Sequence, residues 1–144
     1  MAQTVRETRL FKKYKPNRSE MNNGLMWKRL KFLRQNLARA ANRPNPQEIT
    51  VTLDYVYSVG VKQDWKDPYT GDKLEFERGG NWGMTTSLGT SSNPNSCSID
   101  RINSSLGYVP GNIQLVSAKT NLAKGNMSSK EFIQFCKKVA KYNK

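Results

Sequence analysis

The sequence predicts a mixed α+β fold in which a small strand–strand–helix core is flanked by basic helices. One observation is a pair of short runs with apolar residues, the first ending at Arg101 and the second spanning 113–116, separated by a turn rich in Gly, Pro and Asn. A segment with helical spacing, which carries Asn121, follows the second run. Another observation is the recurrence of apolar residues every three or four positions between residues 21 and 42, which is typical of an amphipathic helix.

The net charge is the strongest compositional signal. The 144 residues carry 24 Lys and Arg against 11 Asp and Glu, so the net charge is +13 at pH 7. The excess lies in residues 1–50 and 111–144, while residues 51–110 are slightly acidic. Such a charge favours a polyanionic partner, because each phosphate that Lys or Arg neutralises releases condensed counterions. The predicted partner is double-stranded DNA, and a merely basic soluble surface is the competing interpretation.

Membrane association is not expected. No apolar run in the sequence approaches the roughly 20 residues that a membrane-spanning helix requires. The N-terminal stretch MAQTVRETRLFKKYK lacks the apolar region of a secretory signal. We therefore expect a cytoplasmic protein that is a monomer or a homodimer, with a basic arm and helix in residues 1–50 and the core in residues 51–144.

The N-terminal part is predicted to contact DNA. Residues 1–20 are basic and lack periodicity, which favours an arm that follows phosphates, although a terminus without a role is also open. The helix after it is predicted to end before Pro44. It is expected to bury four side chains: Trp27, Leu30, Leu33 and Leu37. Its basic residues are predicted DNA contacts, with a plain solvated face as the alternative: Lys28, Arg29, Lys31, Arg34 and Arg39.

Three segments before the strand–strand–helix stretch are predicted from local chemistry. Residues 49–61 fit a strand by propensity, or a helix capped by Thr52. Residues 68–71, Pro-Tyr-Thr-Gly, predict a turn. Residues 79–96 predict a long loop, in which Trp82 either anchors the loop or contacts DNA.

A further helix is predicted at the C-terminal end. Gly125 is a good helix stop, and Ser128 with Glu131 fits a capping box that opens the next helix. One side of that helix is expected to pack and carries four residues: Phe132, Phe135, Cys136 and Val139.

The stretch 95–124, NSCSIDRINSSLGYVPGNIQLVSAKTNLAK, resembles the ββα-metal core of the HNH (His-Me finger) endonucleases of phage and homing type. The segment 67–74, DPYTGDKL, is similar to the C-P-x-T-G-x-x-L segment of these proteins, with Asp67 where a Cys is usual. The resemblance also favours the helix for residues 49–61. It covers about the last 80 residues.

The resemblance implies a catalytic and metal site. Asp100 matches the Asp of the family and Asn121 the helix ligand, so these two are the expected ligands of Mg²⁺ or Mn²⁺. Asn112 matches the loop Asn, which in the family holds the loop by hydrogen bonds to its backbone, and Lys124 matches the following Lys, a predicted phosphate contact. Arg101 occupies the position of the catalytic His.

The departure at Arg101 bears on the mechanism. A His near its unperturbed pKa of about 6.5 can polarise water, whereas Arg, with a pKa above about 12, cannot accept a proton. Arg101 can instead hold the phosphate and stabilise developing charge. Metal-bound hydroxide, solvent or a tyrosine such as Tyr108 then stays open as the group that activates water.

No structural zinc is expected. The chain has no His, and Cys97 and Cys136 form no C-x-x-C pair, whereas zinc needs about four ligands. The predicted function is a metal-dependent DNA endonuclease that hydrolyses phosphodiester bonds. A catalytically inactive DNA-binding relative and a small basic RNA-binding protein are the alternatives.

Overall fold

A computed structural model describes residues 24–78 and 93–144. Over these residues the chain forms four helices and a two-stranded antiparallel sheet: α1 (Leu25–Ala41), α2 (Leu53–Lys62), β1 (Cys97–Arg101), β2 (Ile113–Ser117), α3 (Ala118–Lys124) and α4 (Ser129–Tyr142). The mixed α+β class is therefore confirmed. The predicted arm at residues 1–20 and Trp82 of the predicted loop lie outside the described residues.

Helix α1 begins after Gly24, whose φ of 62° lies in the left-handed region that glycine adopts without strain. Leu30 and Leu33 are fully buried as predicted. Trp27 is 49% exposed, so its predicted place in the core is wrong. The buried side of α1 instead includes Met26 and Leu30. Trp27 follows Met26 and is rotated from it by about 100° around the helix axis.

Helix α2 settles the ambiguity of residues 49–61 in favour of a helix. Thr52 is its N-cap and accepts a hydrogen bond from the Tyr55 amide at 3.1 Å, as predicted. Val56 is fully buried. Gly60 lies so close to the indole of Trp65 that a Cβ atom there would come within 2.1 Å of the ring. A side chain at this position is therefore excluded by packing.

Aromatic rings join α1, α2 and the segment after α2 into one core. Trp65 meets Tyr57 with centroids 4.8 Å apart and Phe76 with centroids 5.4 Å apart, both edge to face. Phe76 in turn meets Phe32 of α1 at 6.0 Å. Edge-to-face pairs of this kind are favourable beyond their buried area. The N-terminal helix thus shares its core with the segment that leads to the hairpin.

The hairpin and α3 follow the predicted order of strand, loop, strand and helix. Strands β1 and β2 pair antiparallel, with Cys97 opposite Ser117 and Arg101 opposite Ile113. Ser117 is both the last residue of β2 and the N-cap of α3, and its hydroxyl accepts a hydrogen bond from the Thr120 amide at 3.1 Å. The helix therefore leaves the strand without any connecting residue.

Asp67 ties the predicted turn at residues 68–71 to the end of β2. Its carboxylate is buried, and Oδ1 accepts hydrogen bonds from the amides of Tyr69 (2.7 Å) and Thr70 (3.2 Å). Oδ2 accepts from the Ser117 amide at 2.8 Å. Hydrogen bonds from backbone N–H groups to a carboxylate are among the stronger ones in a protein. These three bonds connect the turn to the strand–helix junction.

Helix α4 opens with the predicted capping box of Ser128 and Glu131. The described residues bury Phe132, which meets Tyr69 edge to face at 5.3 Å. They leave Phe135 55% and Val139 46% exposed, so the fully packed apolar side that we predicted is not formed by them. No described helix combines the length and apolar character needed to cross a membrane.

Candidate active site between strand β1 and helix α3

Helix α3 lies along one face of β1 and aligns the predicted site residues. Ser98 and Asp100 are two positions apart on the strand, so their side chains share a face. Asn121 and Lys124 are three positions apart on the helix and also share a face. The Asn121 amide donates to Ser98 Oγ at 2.9 Å, and Lys124 Nζ lies 3.2 Å from Asp100 Oδ2. The fold therefore brings Asp100, Asn121 and Lys124 to a single interface.

Asp100 is buried, with 6% of its surface exposed, and a side chain of β2 supports it. Gln114 lies directly opposite in the strand register and donates through Nε2 to Asp100 Oδ2 at 2.9 Å. The same Nε2 donates to Tyr69 Oη at 2.8 Å. The two hydrogens of the Gln114 amide thus orient the Asp100 carboxylate and link it to the turn at residues 68–71. Sequence reasoning missed Gln114, because its role depends on the strand register.

Lys124 is buried and forms an ion pair. Its side chain is 1% exposed, and Nζ also donates to the backbone oxygen of Arg101 at 3.4 Å. The sequence predicted that Lys124 meets a phosphate. In this conformation its ammonium faces Asp100, so a phosphate contact requires it to leave the carboxylate.

The side chain of Asn112 holds the loop between β1 and β2 by hydrogen bonds to backbone atoms of that loop. Its Nδ2 donates to the oxygens of Asn103 (3.1 Å) and Gly107 (2.8 Å), and its Oδ1 accepts from the Asn103 amide at 2.9 Å. Gly107 in turn lies against the backbone of Glu48, where a Cβ atom would come within 2.4 Å of the Glu48 oxygen. These are the backbone hydrogen bonds expected of the loop Asn, and they make Asn112 a positioning residue.

Arg101 binds the same loop from the end of β1. Its Nη1 donates to the oxygens of Ser104 (2.8 Å) and Leu106 (3.2 Å). Its guanidinium lies 5.5 Å from the centroid of the Tyr108 ring, which is buried. None of the described residues accepts a hydrogen bond from the other guanidinium nitrogens of Arg101. Those nitrogens are the groups with which Arg101 can meet a phosphate.

The basic residues of α1 fall into two kinds. Lys28 forms an ion pair with Glu77, which lowers the pKa of that exposed carboxyl group. Arg29 stacks over the rings of Trp65 (4.3 Å) and Phe76 (5.5 Å), so its guanidinium is part of the packing. The remaining three predicted DNA contacts form no ion pair with any described residue: Lys31, Arg34 and Arg39.

A groove of about 480 Å³ lies between α1, β1 and α3. Its basic side chains are Arg39, Arg43 and Arg78, and Asn121 lies in its wall. We call it the arginine groove. Sequence reasoning identified Arg39 but missed Arg43 and Arg78, because residues so distant in the chain meet only in the folded protein.

The donor atoms at the site fit a hard divalent cation. In the parts of the chain that are described, neither Asp100 Oδ1 nor Asn121 Oδ1 has a hydrogen-bond partner. A carboxylate and an amide oxygen suit Mg²⁺, which keeps several of its waters. No group of three or more Cys, Asp or Glu that could hold a metal occurs within residues 24–78 and 93–144. The protein would therefore supply two oxygen ligands to a metal ion, and the Lys124 ammonium would compete with that ion for Asp100.

Comparison with known proteins gives no match: neither a protein-family model, nor a curated protein, nor a solved structure matches this chain.

Proposed function

We propose that the protein is a metal-dependent DNA endonuclease of the HNH (His-Me finger) type, which hydrolyses phosphodiester bonds. The observation that carries the proposal is the alignment of Asp100 and Asn121 between β1 and α3. Asn112 supports it by fixing the loop that joins the two strands. On this proposal the hairpin and α3 form the ββα-metal core.

Each site residue has a role in that reaction. Asp100 and Asn121 would hold the cation through oxygen atoms, and Mg²⁺ or Mn²⁺ would supply Lewis-acid stabilisation of the phosphate and the leaving oxygen. Arg101 binds a non-bridging phosphate oxygen and stabilises the charge that develops there. Lys124 balances the charge of Asp100 before the metal arrives.

The attacking water has no histidine to take its proton. Arg101 cannot accept a proton, and Tyr108 is buried, with 6% of its surface exposed, which limits its access to an attacking water. We therefore assign the proton to solvent. Cleavage should then rise with pH without the inflection near neutrality that a histidine base produces.

A catalytically inactive DNA-binding module is the second candidate. The buried ion pair of Asp100 with Lys124 favours it, because the carboxylate already has a cation. Arg101 in the position of the base favours it as well. This candidate keeps the fold and the positive charge but predicts no cutting.

Cleavage of supercoiled and linear DNA in Mg²⁺, in Mn²⁺ and in EDTA tests the proposal. The wild type should cut only with metal, and both Asp100→Asn and Arg101→Ala should lower the rate by about 10²–10³-fold, as loss of a charge-stabilising group does in other enzymes. Asp72→Asn and Lys62→Ala are matched controls, since each removes one exposed charge away from the site.

Two readouts separate the outcomes. Circular dichroism tests whether the Asp100 and Arg101 variants fold, and cleavage is compared only for variants that do. Tight DNA binding without cutting in any metal would contradict the nuclease and select the inactive module. Binding that an RNA competitor removes far better than a DNA competitor would instead support the RNA-binding alternative.

A further inference from the structure

The arginine groove is a preformed feature of the surface beside the candidate site. Its floor is formed by Ser96 and the first three residues of β1, one wall comes from α1 and the other from α3. Asn36 of α1 donates to the Cys97 oxygen at 3.1 Å and so fixes the helix against the strand edge. A groove held in this way needs little ordering when a ligand enters, which favours binding.

The charge in the groove is available to a ligand. Among the described residues, none that lines the groove is acidic, and none forms an ion pair with Arg39, Arg43 or Arg78. The Arg78 guanidinium carbon lies over the Phe32 ring, 5.9 Å from its centroid. Lys28 and Arg29 differ from these arginines. Lys28 is paired with Glu77, and the Arg29 guanidinium lies over the Trp65 ring.

The position of the groove connects it to the chemistry. Asn121 lies in its wall, and the hydrogen bond to Ser98 fixes the orientation of the Asn121 amide. Asp100 follows two residues after Ser98 on the same face of β1. A linear polyanion that lies in the groove therefore runs towards the proposed metal ligands. Arginine suits such a ligand, since its planar fork of donors matches a phosphate in bidentate geometry.

We propose that the arginine groove binds the sugar–phosphate backbone of the DNA strand next to the scissile phosphate, with Arg39, Arg43 and Arg78 as the phosphate contacts. The inference rests on the proposed function, because it assigns the path by which the substrate reaches Asp100 and Asn121. Contacts to phosphates fix register and orientation but carry no base sequence. The groove therefore positions the strand for cleavage without selecting a sequence.

The test is the salt dependence of binding to a short DNA duplex, measured by fluorescence anisotropy in EDTA. The variant Arg39→Ala/Arg43→Ala/Arg78→Ala is compared with Lys62→Ala/Lys73→Ala/Lys141→Ala, which removes the same charge outside the groove. Each phosphate contact contributes about 0.9 to the slope of log K against log salt, so the groove variant should lose about 2–3 in slope and the control variant little.

The outcomes separate this inference from the proposed function. Equal loss of slope in both triple variants would overturn the groove and leave only a diffuse charge effect. A wild type that binds and cuts DNA while the groove variant binds as tightly would overturn the groove and keep the nuclease. A wild type that binds DNA without cutting would remove the nuclease, while the slopes would still decide the groove. A wild type that does not bind DNA would overturn both.

Discussion

The ion pair of Asp100 and Lys124 places two opposite charges out of contact with solvent. The carboxylate and the ammonium lie 3.2 Å apart with side-chain exposures of 7% and 1%. Removing one partner of a buried pair is costly, because the other charge then lacks compensation. A divalent cation at Asp100 can supply the same compensation. On the proposed function, Lys124 would balance the Asp100 charge in the metal-free protein, as the metal would when bound.

Lys124→Met should reveal this exchange. At neutral pH without metal we expect the free energy of unfolding to fall by about 3–5 kcal/mol, since Asp100 keeps a buried charge without its partner. Saturating Mg²⁺ should raise the melting temperature of the variant more than that of the wild type, because the cation no longer competes with an ammonium. Thermal unfolding with and without Mg²⁺ measures both effects.

The double variant Asp100→Asn/Lys124→Met is the control for this experiment. It removes both charges, so its stability should return towards that of the wild type and should not respond to Mg²⁺. A Lys124→Met protein that is as stable as the wild type, with the same response to Mg²⁺, would contradict the role assigned to the pair.

Among the elements, the turn at residues 68–71 depends on a single carboxylate. Asp67 accepts three backbone hydrogen bonds, two within the turn and one from Ser117. These hydrogen bonds connect the turn to the junction of β2 and α3.

Asp67→Asn should weaken that connection. One of the two oxygens becomes an amide nitrogen, which cannot accept a hydrogen bond, so a buried backbone donor loses its partner. We expect the free energy of unfolding to fall by about 1–3 kcal/mol, measured from the urea midpoint. Asp72→Asn, which changes an exposed carboxylate close to the same turn, should shift the midpoint little. Equal midpoints for both variants would argue against the role of Asp67.

The sequence predicted those elements that local chemistry determines. Thr52 and the pair of Ser128 and Glu131 mark helix starts because a side-chain oxygen accepts from an amide two or three residues on. Trp27 was misplaced, since periodicity allows several neighbouring stripes and only the packing partners decide which one is buried. Gln114 was not predicted because it acts across the strand register. That Asp100 and Asn121 belong to one site was expected only from the resemblance of residues 95–124 to a ββα-metal core.

At the scale of the whole molecule, the two cysteines report on different parts of the structure. Cys97 lies on β1 and is buried, whereas Cys136 lies on α4 and is exposed. Burial raises the pKa of the Cys97 thiol, because the charged thiolate is disfavoured away from water. The thiolate is the reactive form, so Cys97 should be inert while the core is intact.

Thiol labelling measures that difference. In native buffer at mildly alkaline pH we expect one thiol to react quickly with an aromatic disulfide reagent, and the second only when denaturant unfolds the core. Cys136→Ser should abolish the fast reaction and leave the slow one. If Cys97 reacted in the native protein as fast as Cys136, the placement of β1 inside the core would be wrong.

The double role of Ser117 has a consequence for how such a chain can vary. Side chains alternate along a strand with a period of two residues and around a helix with a period of 3.6. Because Ser117 both ends β2 and caps α3, no connecting residue lies between the strand and the helix. An inserted residue would therefore change which side chains of α3 face the strand. One residue inserted after Ser117 would rotate Asn121 and Lys124 away from β1. The spacing from Ser117 to Asn121 and Lys124 therefore identifies the candidate site better than does Arg101, the residue that follows Asp100.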